Sequence, residues 1–134
     1  MTPFGLKIVT PDGMIFDGQA DKVVVRTTGG DICILARHMD YISPLGMGMA
    51  FVEFKDRRRV AACIGGMIHV KDGDVILVPT TFEWSHKIDQ ERAEEAYNRA
   101  LKALEKQGAT ETELALARAR LNRALIRKSV AAYK

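Results

Sequence analysis

The sequence predicts an α+β chain in which an N-terminal antiparallel β-sandwich is followed by a C-terminal α-helical hairpin. Three observations carry this. Up to about Trp84 the residues alternate in the two-residue period of strands, in short runs separated by Gly, Asp and Pro turns at regular spacing. From Trp84 to Arg99 the pattern changes, and then Ala, Leu, Glu, Lys and Arg recur in a helical period without a proline to the end. Asp89 and the box Thr110-Glu-Thr-Glu113 are helix-start signals spaced for two helices. The sandwich is assigned to residues 1–85 and the hairpin to residues 86–134.

The strand runs follow in order. Phe4 to Val9 meets Thr10-Pro11-Asp12-Gly13, where proline presets φ and glycine takes the left-handed position, and Met14-Ile-Phe returns. Asp21 to Thr28 is β-branched and closed by Gly29-Gly30, and Asp31 to Leu35 is a short apolar strand. Met47 to Phe54 and Arg59 to Ile64 flank a polar hairpin loop, Lys55-Asp56-Arg57-Arg58. Met67 to Val70 pairs with Val75 to Val78 across Lys71-Asp72-Gly73-Asp74. No helical period precedes residue 85.

Helix one is expected from about Asp89 to Gln107, with Gly108 ending it in the left-handed conformation. Helix two runs from the Thr110 cap to near Ala131. Ala93, Ala96, Ala100 and Ala103 form a stripe of small residues, matched by Leu114, Ala117, Leu121, Ala124 and Leu125. Such residues are strong helix formers, yet an alanine interface buries little apolar area at ~25 cal/mol per Å². The hairpin is therefore expected to dock weakly, as a two-position switch requires, and a permanently folded hairpin fits the same residues.

Charge is unevenly distributed. The net charge is +3, but residues 1–87 hold ten basic and ten acidic side chains, whereas residues 113–134 hold six basic and one acidic. A basic excess confined to the last helix points to an acidic partner for that segment, or to a solvated helix face. Cys33 and Cys63 lie in apolar, strand-like runs and read as buried free thiols in a reducing compartment. No secretory pattern and no apolar run of membrane-spanning length is present, so a soluble, cytoplasmic chain is expected. A phosphate-binding Gly-rich loop, a nucleophile elbow and a His-Glu-x-x-His motif are absent, and His38, His69 and His86 are scattered. The expectation is a non-enzymatic polypeptide without a metal.

Three stretches together resemble the epsilon subunit of bacterial F-type ATP synthases, over nearly the whole chain. Gly30-Asp31-Ile32-Cys33-Ile34-Leu35-Ala36-Arg37-His38, continuing through Met39-Asp40-Tyr41-Ile42-Ser43-Pro44-Leu45, is similar to that family's Gly-Glu-Leu-Gly-Ile-Leu-Pro-Gly-His strand and the short apolar loop after it. Gly65-Gly66-Met67-Ile68-His69-Val70 resembles its Gly-Gly-Phe-x-x-Val, and Ile88-Asp89-Gln90-Glu91-Arg92-Ala93 its Ile/Leu-Asp-x-x-Arg-Ala. Cys33, Ala36 and Arg37 replace Gly, Pro and Gly, which is expected to change the loop backbone leading into His38, and Asp31 is one methylene shorter than the usual Glu.

The resemblance implies a sandwich of about ten strands that binds the gamma subunit and the ring of membrane-embedded c subunits. It also implies a hairpin that inhibits ATP hydrolysis in the alpha/beta catalytic head. On that basis Asp31 is placed toward the c ring, and His38, Tyr41 and Ile42 toward gamma. Arg120, Arg123 and Arg127 are expected to meet acidic residues of the head. Some members of that family bind ATP in the hairpin, so ATP is expected as a regulatory ligand at Ile88, Asp89, Arg92, Ala93, Arg99, Arg123 and Arg127, with no cofactor required. Guanidinium groups suit a triphosphate through charge-assisted bidentate bonds, and they suit an acidic protein equally. The implied location is peripheral, on the cytoplasmic face of the bacterial membrane and in contact with it only through the complex. A free-standing nucleotide-sensing protein is the alternative. A nucleic-acid role is disfavoured, because the basic helix lacks interleaved aromatics and the sheet carries no basic excess.

Overall fold

A computed structural model describes residues 2–133. The chain divides after Trp84 into two compact units. The first holds ten strands: β1 (Phe4–Thr10), β2 (Gly13–Ala20), β3 (Lys22–Thr27), β4 (Gly30–Ile34), β5 (Tyr41–Pro44), β6 (Met47–Phe54), β7 (Arg57–Ile64), β8 (Met67–Lys71), β9 (Asp74–Val78) and β10 (Thr81–Trp84). They form two five-stranded sheets, ordered β2-β1-β9-β8-β5 and β10-β7-β6-β3-β4. Pairing is antiparallel except between β1 and β9, which run parallel with Leu6 opposite Val75.

The core lies between the sheets. Leu6, Ile8, Ile68, Val70, Val75 and Leu77 of the first sheet face Val23, Val25, Ile34, Ala50, Val52, Ala61 and Cys63 of the second, all buried. Phe82 and Trp84 close one edge, their rings edge-to-face at 4.9 Å. A buried side chain of this size contributes about 1.5–3 kcal/mol, so the alternation along these strands is the main energetic reason for the fold.

Local chemistry departs from the residue pattern in a few places. β5 and β10 lie in stretches where no strand run was legible, because each is only four residues long and each is a sheet edge. Pro44, which lacks an N–H, is tolerated in β5 because it ends an edge strand. The β6–β7 loop is shorter than expected. Only Lys55 (φ 51) and Asp56 (φ 60) form the turn, while Arg57 and Arg58 pair with Phe54 and Glu53. The Arg58 guanidinium lies 4.2 Å from the centre of the Phe51 ring, a cation–π contact that holds this residue in the strand. Gly66 (φ 93) is required by close approach, since a Cβ there would lie 2.6 Å from Pro79 Cα and against the Val78 carbonyl. Arg37, in the β4–β5 loop, holds φ 63, the backbone a glycine would take. A left-handed conformation costs a residue with a Cβ about 1–2 kcal/mol.

The second unit begins with a 3-10 turn (Ser85–Lys87) and contains α1 (Gln90–Leu104) and α2 (Glu111–Ala131). The carboxylate of Asp89 accepts the Arg92 N–H at 3.2 Å, and Thr110 Oγ1 accepts the Glu113 N–H at 3.1 Å, so both caps form. α1 ends a turn earlier than expected, with Glu105 as its C-cap. Gly108 (φ 76) turns the connecting loop instead of closing the helix. Ala93, Ala100, Ala117 and Ala124 are buried between the helices, but Leu125 of the expected stripe is exposed. Lys128 Nζ sits 4.6 Å from the Tyr97 ring centre and ties α2 to α1.

The two cysteines differ from each other. Cys63 is buried, and burial pushes its thiol pKa up to about 12. Cys33 is exposed, contrary to the expectation, because β4 buries only one face and position 33 alternates outward between Ile32 and Ile34. A thiol reagent at pH 8 should therefore modify Cys33 within minutes and reach Cys63 only after denaturation, read as one modified thiol per native chain by mass spectrometry. Rapid modification of both in the native chain would contradict this burial.

Candidate functional site

The outer face of the first sheet carries exposed apolar side chains beside its polar ones. Register aligns two rows across it. In the first row Ile42 lies opposite His69, His69 opposite Ile76, Ile76 beside Lys7 and Lys7 opposite Asp17. In the second, Pro44 lies opposite Met67 and Met67 opposite Val78. Val9, paired with Met14, continues this row on β1 and β2. Ile42 is 64% exposed, Met14 56%, Val78 47% and Ile76 41%, while Met39, in the loop before β5, is 74% exposed. Single exposed apolar side chains are ordinary, but a contiguous band across several strands marks a contact surface.

Of the residues expected to face gamma, only Ile42 lies on this band. Tyr41 alternates to the other side, half-buried against the core, and its ring meets His38 edge-to-face at 6.1 Å. His38 stands in the preceding loop with Nδ1 2.7 Å from the Met39 carbonyl oxygen. Met14, Met67, Ile76 and Val78 are not among the residues the sequence points to. Their signal was present in Val75-Ile76-Leu77-Val78 and Met67-Ile68, where both parities of the strand period are apolar.

Asp31 lies on the second sheet, beside the β3–β4 turn and opposite Arg26, and that turn meets the end of β5, the Thr28 N–H donating to the Pro44 carbonyl at 3.2 Å. Arg26 Nε donates to Asp31 Oδ1 at 2.9 Å, and a terminal nitrogen donates to Oδ2 at 3.3 Å, a bidentate pair that is half exposed. That hydrogen bonding holds the Asp31 carboxyl below its usual range and raises Arg26. Asp31 therefore presents a fixed ion pair, with the guanidinium beside it.

In the second unit the alanine seam opens into a groove of ≈ 390 Å³ between α1 and α2. Arg99, Arg120, Arg123 and Arg127 line it, together with Ala96, Ala100, Ala103, Ala117 and Ala124. No carboxylate occurs among its described lining residues. Cations repeated at i, i+3 and i+7 on α2 fall on one helix face, and Arg99 meets them from α1. Small side chains bring the helix backbones close, and the arginines surround an electropositive slot with low-dielectric walls. Arg120, expected only as a contact to the head, belongs to this set. Ile88, Asp89, Arg92 and Ala93 do not line the groove: Ile88 and Ala93 are buried, and Asp89 caps α1.

Comparisons with known proteins agree with this two-part architecture. The family model described as ATP synthase, Delta/Epsilon chain, beta-sandwich domain matches residues 3–85, and the one described as ATP synthase, Delta/Epsilon chain, long alpha-helix domain matches residues 86–132. The ATP synthase epsilon chain of Caldicellulosiruptor bescii is 34% identical over 131 residues, 98% of this chain and 95% of that one. The ATP synthase epsilon chain of Alkaliphilus metalliredigens is 39% identical over 104 residues, 78% of each chain. A chain in the structure of the Euglena gracilis mitochondrial ATP synthase OSCP/F1/c-ring has the same fold, with a TM-score of 0.84 at 21% identity over 96% of this chain and 81% of that chain. With both domains matched in order and identity above 30% across almost the full length, this chain belongs to the ATP synthase epsilon-chain family.

Proposed function

We propose that this chain is the non-catalytic epsilon subunit of the central stalk in a bacterial F-type ATP synthase, joining rotation of the c ring to the catalytic head. It acts by binding alone. The observation that carries this reading is the apolar band on the outer face of the first sheet, which supplies a docking surface on a rigid scaffold for the gamma subunit. A patch of ~300 Å² at ~25 cal/mol per Å² is worth ~7 kcal/mol before the costs of association. Ile42 belongs to that surface, and His38 and Tyr41 precede it in the loop and at the start of β5 as further candidates for the gamma contact. The Asp31–Arg26 pair, half exposed and bidentate, is the candidate contact to the c ring. The subunit is peripheral at the cytoplasmic face of the membrane and is held there through its partners. Among the described residues no helix is long and apolar enough to cross a membrane.

The hairpin is the regulatory part. Arg120, Arg123 and Arg127 meet acidic residues of the alpha/beta head and inhibit ATP hydrolysis, and ATP is the ligand that opposes this. The arginine groove favours that second role, because a triphosphate seated among Arg99, Arg120, Arg123 and Arg127 would neutralise the side chains the head requires. The same guanidiniums cannot serve both partners, so ATP and head compete. Hydrogen bonds to charged groups contribute about 1.5–3 kcal/mol each, and a ligand at a hundred times its Kd stabilises the state it binds by about 2.7 kcal/mol.

Val78→Glu tests the docking face. Its side chain is half exposed, so the chain should keep its thermal transition while calorimetry shows affinity for the gamma subunit lowered at least a hundredfold. Unchanged affinity would place gamma elsewhere, and failure of the native chain to co-purify with gamma would favour a free-standing sensor. The groove is tested by titrating the full chain with ATP. Arg99→Ala and Arg123→Ala should each weaken binding more than tenfold, and the absence of heat at millimolar ATP would remove the nucleotide from the account.

A further inference from the structure

We propose that His69 makes docking on the first sheet proton-linked, so that the gamma subunit binds the neutral imidazole and is released as the pH falls. This regulation rests on the docking surface proposed above. Register puts His69 between Ile42 of β5 and Ile76 of β9, both exposed apolar side chains. The imidazole alternates outward on β8 and is itself exposed. No hydrogen bond or ion pair joins it to another described residue. A surface that covers Ile42 and Ile76 therefore also covers the ring between them and takes it out of water.

The groups around the ring do not favour an imidazolium. β5 carries no charged side chain, and its Tyr41 is half-buried against the core. On β8, Lys71 lies two residues further on the same face and is a like charge. The acid of β9 is Asp74, diagonal to His69, but its carboxylate accepts the Gly5 N–H at 3.2 Å from β1, on the far side of β9. In the flanking loops Asp40 accepts the Asp72 N–H at 3.0 Å, and His38 Nδ1 lies against the Met39 carbonyl. Lys7 stands beyond Ile76 on β1. A charge taken out of water without a partner costs far more than a neutral polar group. The covered surface therefore binds fewer protons than the free one. Affinity rises with pH and levels off where the free imidazole is neutral, within the pH 5 to 8 span in which histidine changes charge.

Calorimetry of the full chain against purified gamma subunit, at pH 8 and pH 5.5 and constant ionic strength, reads the linkage. The Kd should rise about tenfold at the lower pH, as the uptake of one proton by the free surface requires. At pH 6, titration in two buffers of different ionisation heat should show protons released on binding. His69→Gln should bring the two Kd values to within about twofold of each other and remove that release. His38→Gln should keep the native ratio. Equal ratios for the native chain and His69→Gln would assign the proton to another group and overturn the proposal, as would a native ratio near one. If Val78→Glu weakens binding at pH 8 while neither pH nor His69→Gln has an effect, the docking face stands and only the linkage falls. A native chain that does not bind gamma at pH 8 removes the docking surface and the linkage with it.

Discussion

The two-residue period of β1, β9, β8 and β5, pinned by burial of Leu6, Ile8, Ile68, Val70, Val75 and Leu77, is the constraint on which the rest of the first unit depends. A slip of one residue in any of these strands would expose its core side chains and bury its outer row. Register is therefore specified by the core, and the outer rows are aligned as a consequence. The parallel pairing of β1 with β9 matters most here. It is non-local, with Leu6 opposite Val75, and it joins the N-terminal hairpin to the β8–β9 hairpin. Without it Val9 and Met14 would not extend the band begun by Pro44, Met67 and Val78. The alignment of the outer rows is thus a by-product of core packing.

The hairpin obeys different energetics. Its seam is built from Ala93, Ala100, Ala117 and Ala124, which bury little area, and its groove concentrates four guanidiniums of like charge. Helix propensity and the Asp89 and Thr110 caps keep each helix formed. The pairing of the helices has less behind it: the Tyr97–Lys128 contact is worth about 0.5–2 kcal/mol, and repulsion across the groove works against it. An anion in the groove reverses the sign of that repulsion. The sandwich is thus held by large buried side chains, and the hairpin by small ones.

Much of this was legible in the residues. The change of period near Trp84, the caps at Asp89 and Thr110 and most strands followed from pattern, because each has a local cause. β5 and β10 were missed because four-residue edge strands carry too few alternations to be read. Cys33 was misplaced because an apolar run does not say which of its faces is buried. Arg57 and Arg58 looked like loop because charge usually marks solvent, whereas stacking on Phe51 and pairing with Glu53 hold Arg58 in β7. The band on the first sheet needed strand order, which no local signal supplies. Arg99, Arg123 and Arg127 follow from helical spacing, but Arg120 joins them only when both helix faces are known, while Asp89 caps α1 and Ala93 is buried.

The central claim is that the sandwich alone seats gamma and that the hairpin regulates without contributing to that seat. Calorimetric titration of gamma with a chain ending at Ser85 tests it most directly. The account predicts a cooperative thermal transition for the shortened chain and a Kd for gamma within about threefold of the full chain, a difference of less than ~0.7 kcal/mol. A shortened chain that folds but loses gamma would contradict it, and would assign the docking surface to the helices.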